Sequence, residues 1–335
     1  MRHVRPWMKR LAQVAVIGAA LLYLVRLAQR HADQLADARL TIDWLPLLAG
    51  SSLTLLGYAW NVRLWSWSLR WWRQRLRCVP ALRIWFLSNL ARFIPGVVWQ
   101  FAGLAAMSHA QGVSPVAATA AVIVQQVALL VTGLLASLAL APELFGAWAE
   151  ALPAGSGIGR LAASIAAWTG ATSIGMRLLL VAGAFAAGVL LVPLLLRGAA
   201  ALWARWGRGS AVVLPALGVR DTALYVTAHL VPWALYGIAF HLFAEGILAG
   251  ATPSPGLAAA AFISSYVAGI IVVVAPAGLG VREVVLYAAL RPAIGPGDAL
   301  VLALLSRVWL VATELAGALI VLGATARRRG SIEPR

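Results

Sequence analysis

The chain has 335 residues, of which 62% are hydrophobic and 11% charged, with a mean hydropathy of +0.86. That is the composition of an integral membrane protein and excludes a soluble globular domain. The formal charge of +16 does not signal nucleic acid, because the basic residues sit mainly in short runs flanking apolar segments, where the positive-inside rule accounts for them.

In chain order, Arg2, Arg5, Lys9 and Arg10 precede an apolar stretch at 11–28. This resembles a signal peptide, but Ala28-Gln29-Arg30-His31-Ala32 is a poor cleavage site, so the stretch is expected to stay as an N-terminal anchor. Further apolar windows lie at 44–69, 84–109, 116–141, 178–197, 222–249, 256–291 and 298–323. Segments of this length and hydropathy predict helices and an all-α bundle. Trp60, Trp65, Trp67, Trp71, Trp72 and Trp85 crowd the end of the second window and the start of the third, as an interfacial aromatic belt or as a stacking surface for substrate. The one cysteine, Cys78, excludes a disulfide framework and reads as a packing residue. Residues 142–172 include the Gly-rich run 153–159 and read as a loop with an amphipathic helix around Arg160 to Trp168.

Two windows are interrupted, the first at Arg92-Phe93-Ile94-Pro95-Gly96-Val97-Val98-Trp99 and the second at Pro276-Ala277-Gly278-Leu279-Gly280-Val281-Arg282-Glu283. Hydrocarbon cannot solvate the peptide groups that such breaks free, so each is expected to line protein or a wet cavity. If both windows dip in and return, the arginine-rich loops at 70–83, 198–221 and 324–335 fall on one face together with the N-terminus. That face is then cytoplasmic. The expected topology is six full spans plus two re-entrant hairpins, with both termini in the cytoplasm. An offset of 181 takes Pro95 to Pro276, Pro115 to Pro296 and Thr132 to Thr313, although identity along it is weak. This suggests an inverted repeat, with repeat 1 at about 43–141 and repeat 2 at about 222–323, in a single membrane domain spanning 1–335.

The breaks carry the candidate chemistry. Arg92 either grips an anionic group beside backbone N–H groups freed at Pro95-Gly96, or snorkels to the interface. Glu283 either favours the first turn of its helix electrostatically or serves as a protonatable carboxylate and counter-ion, with Arg92 the first choice of partner. Arg307 and Glu314 are two helical turns apart and project from one face, which should point into the bundle. Gln126 aligns with Arg307, and with Gln125 it reads as interhelical glue or a ligand contact. His241 and Glu245 have a metal-compatible i,i+4 spacing without a third ligand nearby in sequence, so no metal is expected. No nucleotide-binding, esterase-elbow or zinc-protease motif occurs, and no cofactor is expected.

Around Asn89-Leu90-Ala91-Arg92-Phe93-Ile94-Pro95-Gly96 to Trp99, and again at Pro276-Ala277-Gly278-Leu279-Gly280-Val281-Arg282-Glu283, the chain resembles the flippase-like membrane domain of the lysylphosphatidylglycerol synthase family. Arg307 is similar to that family's arginine in the last span. The resemblance implies an inner-membrane protein that moves a modified phospholipid or isoprenoid-linked glycolipid between leaflets, without ATP. It places the family's arginine and Pro-Gly turn on Arg92, Pro95 and Gly96 and its glycine-rich turn with acid on Pro276, Gly278, Gly280 and Glu283. Trp99, Gln126, Arg282, Arg307 and Glu314 join these as candidate substrate contacts, with Arg92 and Arg282 expected to hold a headgroup phosphate and Glu283 to balance the charge. Because the chain ends soon after its final span, the cytosolic aminoacyl-transfer domain is expected to be absent, and lysyl-lipid synthesis with it. Two other classes stand beside transport. One is a membrane-embedded lipid-modifying enzyme using Glu283 as base. The other is a scaffold that partners a glycosyltransferase or synthase through its arginine-rich loops.

Overall fold

The computed structural model describes residues 40–90, 98–140, 144–146, 157–173, 175–188, 190, 218–250, 252–271, 278 and 280–330. The anchor at 11–28 and the break residues Arg92, Pro95, Gly96 and Pro276 lie outside the described residues.

Among the described residues the fold is helical. The helices are α1 (Trp44–Leu69), α2 (Cys78–Asn89), α3 (Val98–His109), α4 (Pro115–Leu140), α5 (Gly157–Ala171), α6 (Gly175–Gly188), α7 (Val219–Ala228), α8 (Leu230–Ile247), α9 (Pro255–Ile271), α10 (Val281–Ile294) and α11 (Pro296–Gly330). Among the described residues three helical stretches are long and apolar enough to cross a membrane: Pro115–Leu140, Val219–Ile247 and Pro296–Ala324. α1 is as long as α4, but Ser51, Ser52, Thr54, Asn61 and Arg63 keep it out of that set. Both interrupted windows are pairs of shorter helices, α2 with α3 and α9 with α10, and the members of each pair pack on each other. At about 1.5 Å per residue, α2 and α3 are each about 18 Å long, well short of the ~30 Å hydrocarbon core.

The window at 222–249 is broken as well, at His229 between α7 and α8. The cause is local. Pro232 has no N–H to give the carbonyl of Ala228 four residues earlier. The indole N–H of Trp60 donates to that carbonyl instead, at 2.9 Å.

α1 and α8 form the central seam and run antiparallel. Asp43 N–H donates to Gly246 O at 2.9 Å and Thr41 N–H to Ile247 O at 2.8 Å at one end. Further along, Asn61 meets Tyr236. Small residues permit the approach: a Cβ on Gly50 would stand 2.8 Å from Ala239 O, and one on Gly57 2.5 Å from the Tyr236 ring. Around this seam α1 packs on α2, α4 and α11, while α8 packs on α9, α11 and α4. α4 also packs on α3 and α9, and α11 on α10 and α2.

The core follows these contacts. One large cluster, with Trp233, Phe240, Phe243, Phe262, Leu286 and Leu302, joins α8 to α11. A second, with Val62, Trp65, Ile84, Trp85 and Leu104, joins α1 to α4. Trp233 links the two halves by donating its indole N–H to Leu129 O at 3.2 Å and Thr132 Oγ1 at 3.1 Å on α4. The helix expected near Arg160 to Trp168 is α5. Its Leu161 and Trp168 are exposed, while Ile165 and Ala166 rest on the large cluster. Cys78, expected to pack inside, is exposed at the first residue of α2, where the helix has only just left the surface turn.

Candidate functional site

α10 starts from a strained turn. Gly280, its N-cap, has φ +86°, and Gly278 has φ +69°, both in the region that disfavours side chains. Gly278 also lies against α9, where a Cβ would stand 2.9 Å from Gly269 Cα and 3.0 Å from Gly269 O. Glu283 locks the turn by accepting the Gly280 N–H on Oε2 at 2.7 Å, half of a capping box. With so little side-chain bulk at 269 and 278, the stem of Arg282 lies directly over Gly269. Its guanidinium carbon then sits 4.9 Å from the centroid of the Tyr266 ring and 5.8 Å from that of Phe262. Cation–π contact of this kind holds a guanidinium in place.

Arg307 on α11 completes the charged group. Its Nε lies 3.9 Å from Glu283 Oε1, and both side chains are almost wholly buried. Glu283 thus uses one oxygen for its own helix start and turns the other toward an arginine on the next helix. Burial of such charges is tolerated only with partners.

Arg282 and Arg307 border a narrow cleft lined by Tyr58, Tyr236, Phe262, Tyr266, Arg282, Arg307, Leu310 and Val311. A small recess, sharing Phe262, Arg282, Arg307 and Leu310, adds Ser265, Glu283, Leu286, Ala303 and Ser306. Both serine hydroxyls donate back to carbonyls of their own helices, Ser265 to Phe262 O at 2.8 Å and Ser306 to Ala303 O at 2.9 Å. Their oxygens still have lone pairs with which to accept. On the opposite wall Tyr236 OH accepts from Asn61 Nδ2 at 2.8 Å, and Gln125 Nε2 donates to Asn61 O at 2.7 Å. That chain of polar contacts fixes the tyrosine wall to α4. The cleft therefore offers two guanidiniums, one carboxylate and several aromatic faces inside an apolar bundle, a donor set for an oxyanion attached to an apolar body.

Of the site residues named from sequence, the structure brings together Gly278, Gly280, Arg282, Glu283 and Arg307. Glu314 is buried on α11 but does not border the cleft, Gln126 is half-buried on α4, and Trp99 on α3 is exposed. Among the described residues Glu283 pairs with Arg307; Arg92, the first choice from sequence, lies outside the described residues. Gln125, the neighbour of Gln126, makes the interhelical contact. Sequence reasoning overlooked Tyr58, Tyr236, Tyr266 and Asn61. A signal existed, since the chain has only 6 tyrosines and three of them line this cleft. His241 Nε2 and Glu245 Oε1 lie 3.4 Å apart on α8, and among the described residues no group of three or more His, Cys, Asp or Glu could hold a metal.

No protein-family model matches the chain, and a search of curated proteins finds no match.

Proposed function

We propose that the protein is an inner-membrane lipid transporter that moves a modified phospholipid or isoprenoid-linked glycolipid between leaflets, with Arg282 and Arg307 holding the phosphate and Glu283 balancing their charge. The observation that carries this reading is the cleft itself, where two arginines and a glutamate meet at a glycine-rich helix break inside an apolar bundle. An oxyanion crossing hydrocarbon needs such a group, because each uncompensated charge costs several kcal/mol there. The resemblance of both breaks to the flippase-like domain of the lysylphosphatidylglycerol synthase family points the same way.

The packing supports an inverted repeat. An in-plane twofold makes an element antiparallel to its own counterpart, as α1 is to α8. The same exchange takes α2 on α11 into α9 on α4, and α1 on α4 into α8 on α11, all of which are observed neighbours. It pairs α2 and α3 with α9 and α10, the four short helices read as two re-entrant hairpins of opposite sense. α4 and α11 correspond too, each starting at a proline, Pro115 and Pro296, the offset noted in the sequence. The arginine-rich α1–α2 turn then faces the cytoplasm with both termini.

The test is translocation of headgroup-labelled lipid in liposomes containing the full chain. Arg282→Gln and Arg307→Gln are expected to reduce the rate at least tenfold with the protein still folded. Wild-type rates in both variants would overturn the assignment.

A further inference from the structure

Between Asp43 and Glu143 the sequence has no acidic residue, yet it includes Arg63, Arg70, Arg73, Arg75, Arg77 and Arg83. The first five are exposed, on the last turns of α1 and in the turn into α2. Arg83, inside α2, has its Nε covered and without a hydrogen-bond partner. Among the described residues none of these arginines pairs with a carboxylate.

The backbone of this turn is unusual in a way that involves the charge. α3 closes with Gly112 N–H donating to His109 O at 2.9 Å and Val113 N–H to Ser108 O at 3.0 Å, with φ +76° at Gly112. The 3-10 turn at Arg70–Trp72 that extends α1 closes by the same pair of bonds, Arg73 N–H to Arg70 O at 2.9 Å and Gln74 N–H to Leu69 O at 3.1 Å, with φ 55° at Arg73. Glycine fills that left-handed position freely and other residues resist it. Arg73 is the only non-glycine residue with positive φ among those described. A long cation has been placed where stability alone would favour glycine, and an outlier of this kind points to function.

The depth of the turn follows from the aromatic residues beside it. Trp71 and Trp72 are half-buried, and Trp71 packs edge-on against Tyr225 of α7 at 4.6 Å. Rings anchored like this belong at the level of lipid headgroups. The guanidiniums are thus held where phosphates are densest, and their planar forks match phosphate oxygens.

We infer that the α1–α2 corner is a binding site for anionic phospholipid headgroups of the adjoining leaflet, of the phosphatidylglycerol type. The site is separate from the cleft and rests on the membrane reading alone, so its test is lipid retention and involves no transport. A protein with an acidic surface fits the same charge less well, because the tryptophans hold the corner against the bilayer.

The experiment purifies the full chain in detergent with equal amounts of phosphatidylglycerol and phosphatidylcholine, washes it, and measures both retained lipids. The wild type is expected to keep phosphatidylglycerol preferentially, and 0.5 M salt to weaken the preference. Replacing Arg70, Arg73, Arg75 and Arg77 together by Gln should lower the ratio by roughly tenfold or more, since each surface arginine is worth about fivefold. Replacement of the same four by Lys should keep most of it. Arg73→Gly supplies a test that does not risk the fold: it should raise thermal stability while lowering the lipid ratio, a trade that a purely structural arginine would not show. Equal retention of the two lipids by the wild type, or an unchanged ratio in the Gln variant, would overturn the proposal. So would co-purification of an acidic protein that is lost in the Gln variant while the lipid ratio stays constant.

Discussion

Replacing Glu283 by Gln tests the charged centre of the cleft with the least disturbance of shape. The amide keeps an oxygen that can accept the Gly280 N–H now bound at 2.7 Å, so the start of α10 should survive. What disappears is the attraction to Arg307 across 3.9 Å. At that distance a full pair is worth about 4 kcal/mol at an effective dielectric constant of about 20 and about 1 kcal/mol in water. Deep burial favours the first figure and the adjoining cleft the second, giving a coupling of about 2 kcal/mol. A double-mutant cycle with Arg307→Gln, read from unfolding in mixed micelles, measures that coupling free of the other contacts of either residue. Glu283→Ala should cost about 1 kcal/mol more than Glu283→Gln, because it also removes the cap. A coupling below about 0.5 kcal/mol would refute the reasoning, since two sites that do not interact are additive to within that margin.

Three further outcomes follow from the packing. Gly57→Ala should destabilise the protein by about 1–2 kcal/mol in the same unfolding assay, because overpacking against the Tyr236 ring outweighs the gain in helix propensity. Gly278→Ala should cost about 3 kcal/mol, combining a left-handed φ with a Cβ forced into the backbone of Gly269, and crosslinking between cysteines placed on α9 and α10 would register the displaced loop. Trp60→Phe keeps the ring but withdraws the donor from Ala228 O, so hydrogen exchange at the α7–α8 junction should speed up by roughly fivefold, in line with a loss of about 1 kcal/mol.

The sequence announced the helices and the second break through solvation rules that act locally. Pro and Gly clusters cannot sit in lipid, and Glu283 and Arg307 cannot face it, so their burial was readable without a structure. The identity of partners was not. Glu283 meets Arg307 through the packing of α10 on α11, which no spacing in the chain encodes. The choice between Gln125 and Gln126 turns on one residue, about 100° around a helix, and a gapless offset between weakly similar repeats cannot resolve it. Tyr236 and Asn61 are 175 residues apart, so the polar wall they form appears only once α1 and α8 are docked. The turn at His229 was missed for a different reason: hydropathy continues smoothly through it, while Pro232 shifts one hydrogen bond to Trp60.

The antiparallel seam of α1 and α8 also has a bearing on biogenesis. α1 is synthesised long before α8, and the partners of Asn61, Gly50 and Gly57 within that seam come from the later helix. Gln125 of α4 reaches Asn61 earlier, donating to its carbonyl oxygens at 2.7 and 3.3 Å, but leaves the Asn61 amide donor and the glycine stripe waiting. A nascent chain released before residue 219 would present that stripe to lipid or to the insertion machinery. Translation arrest ahead of α7 should therefore leave the first half protease-sensitive and bound to its insertase, with protection arriving abruptly once α8 emerges.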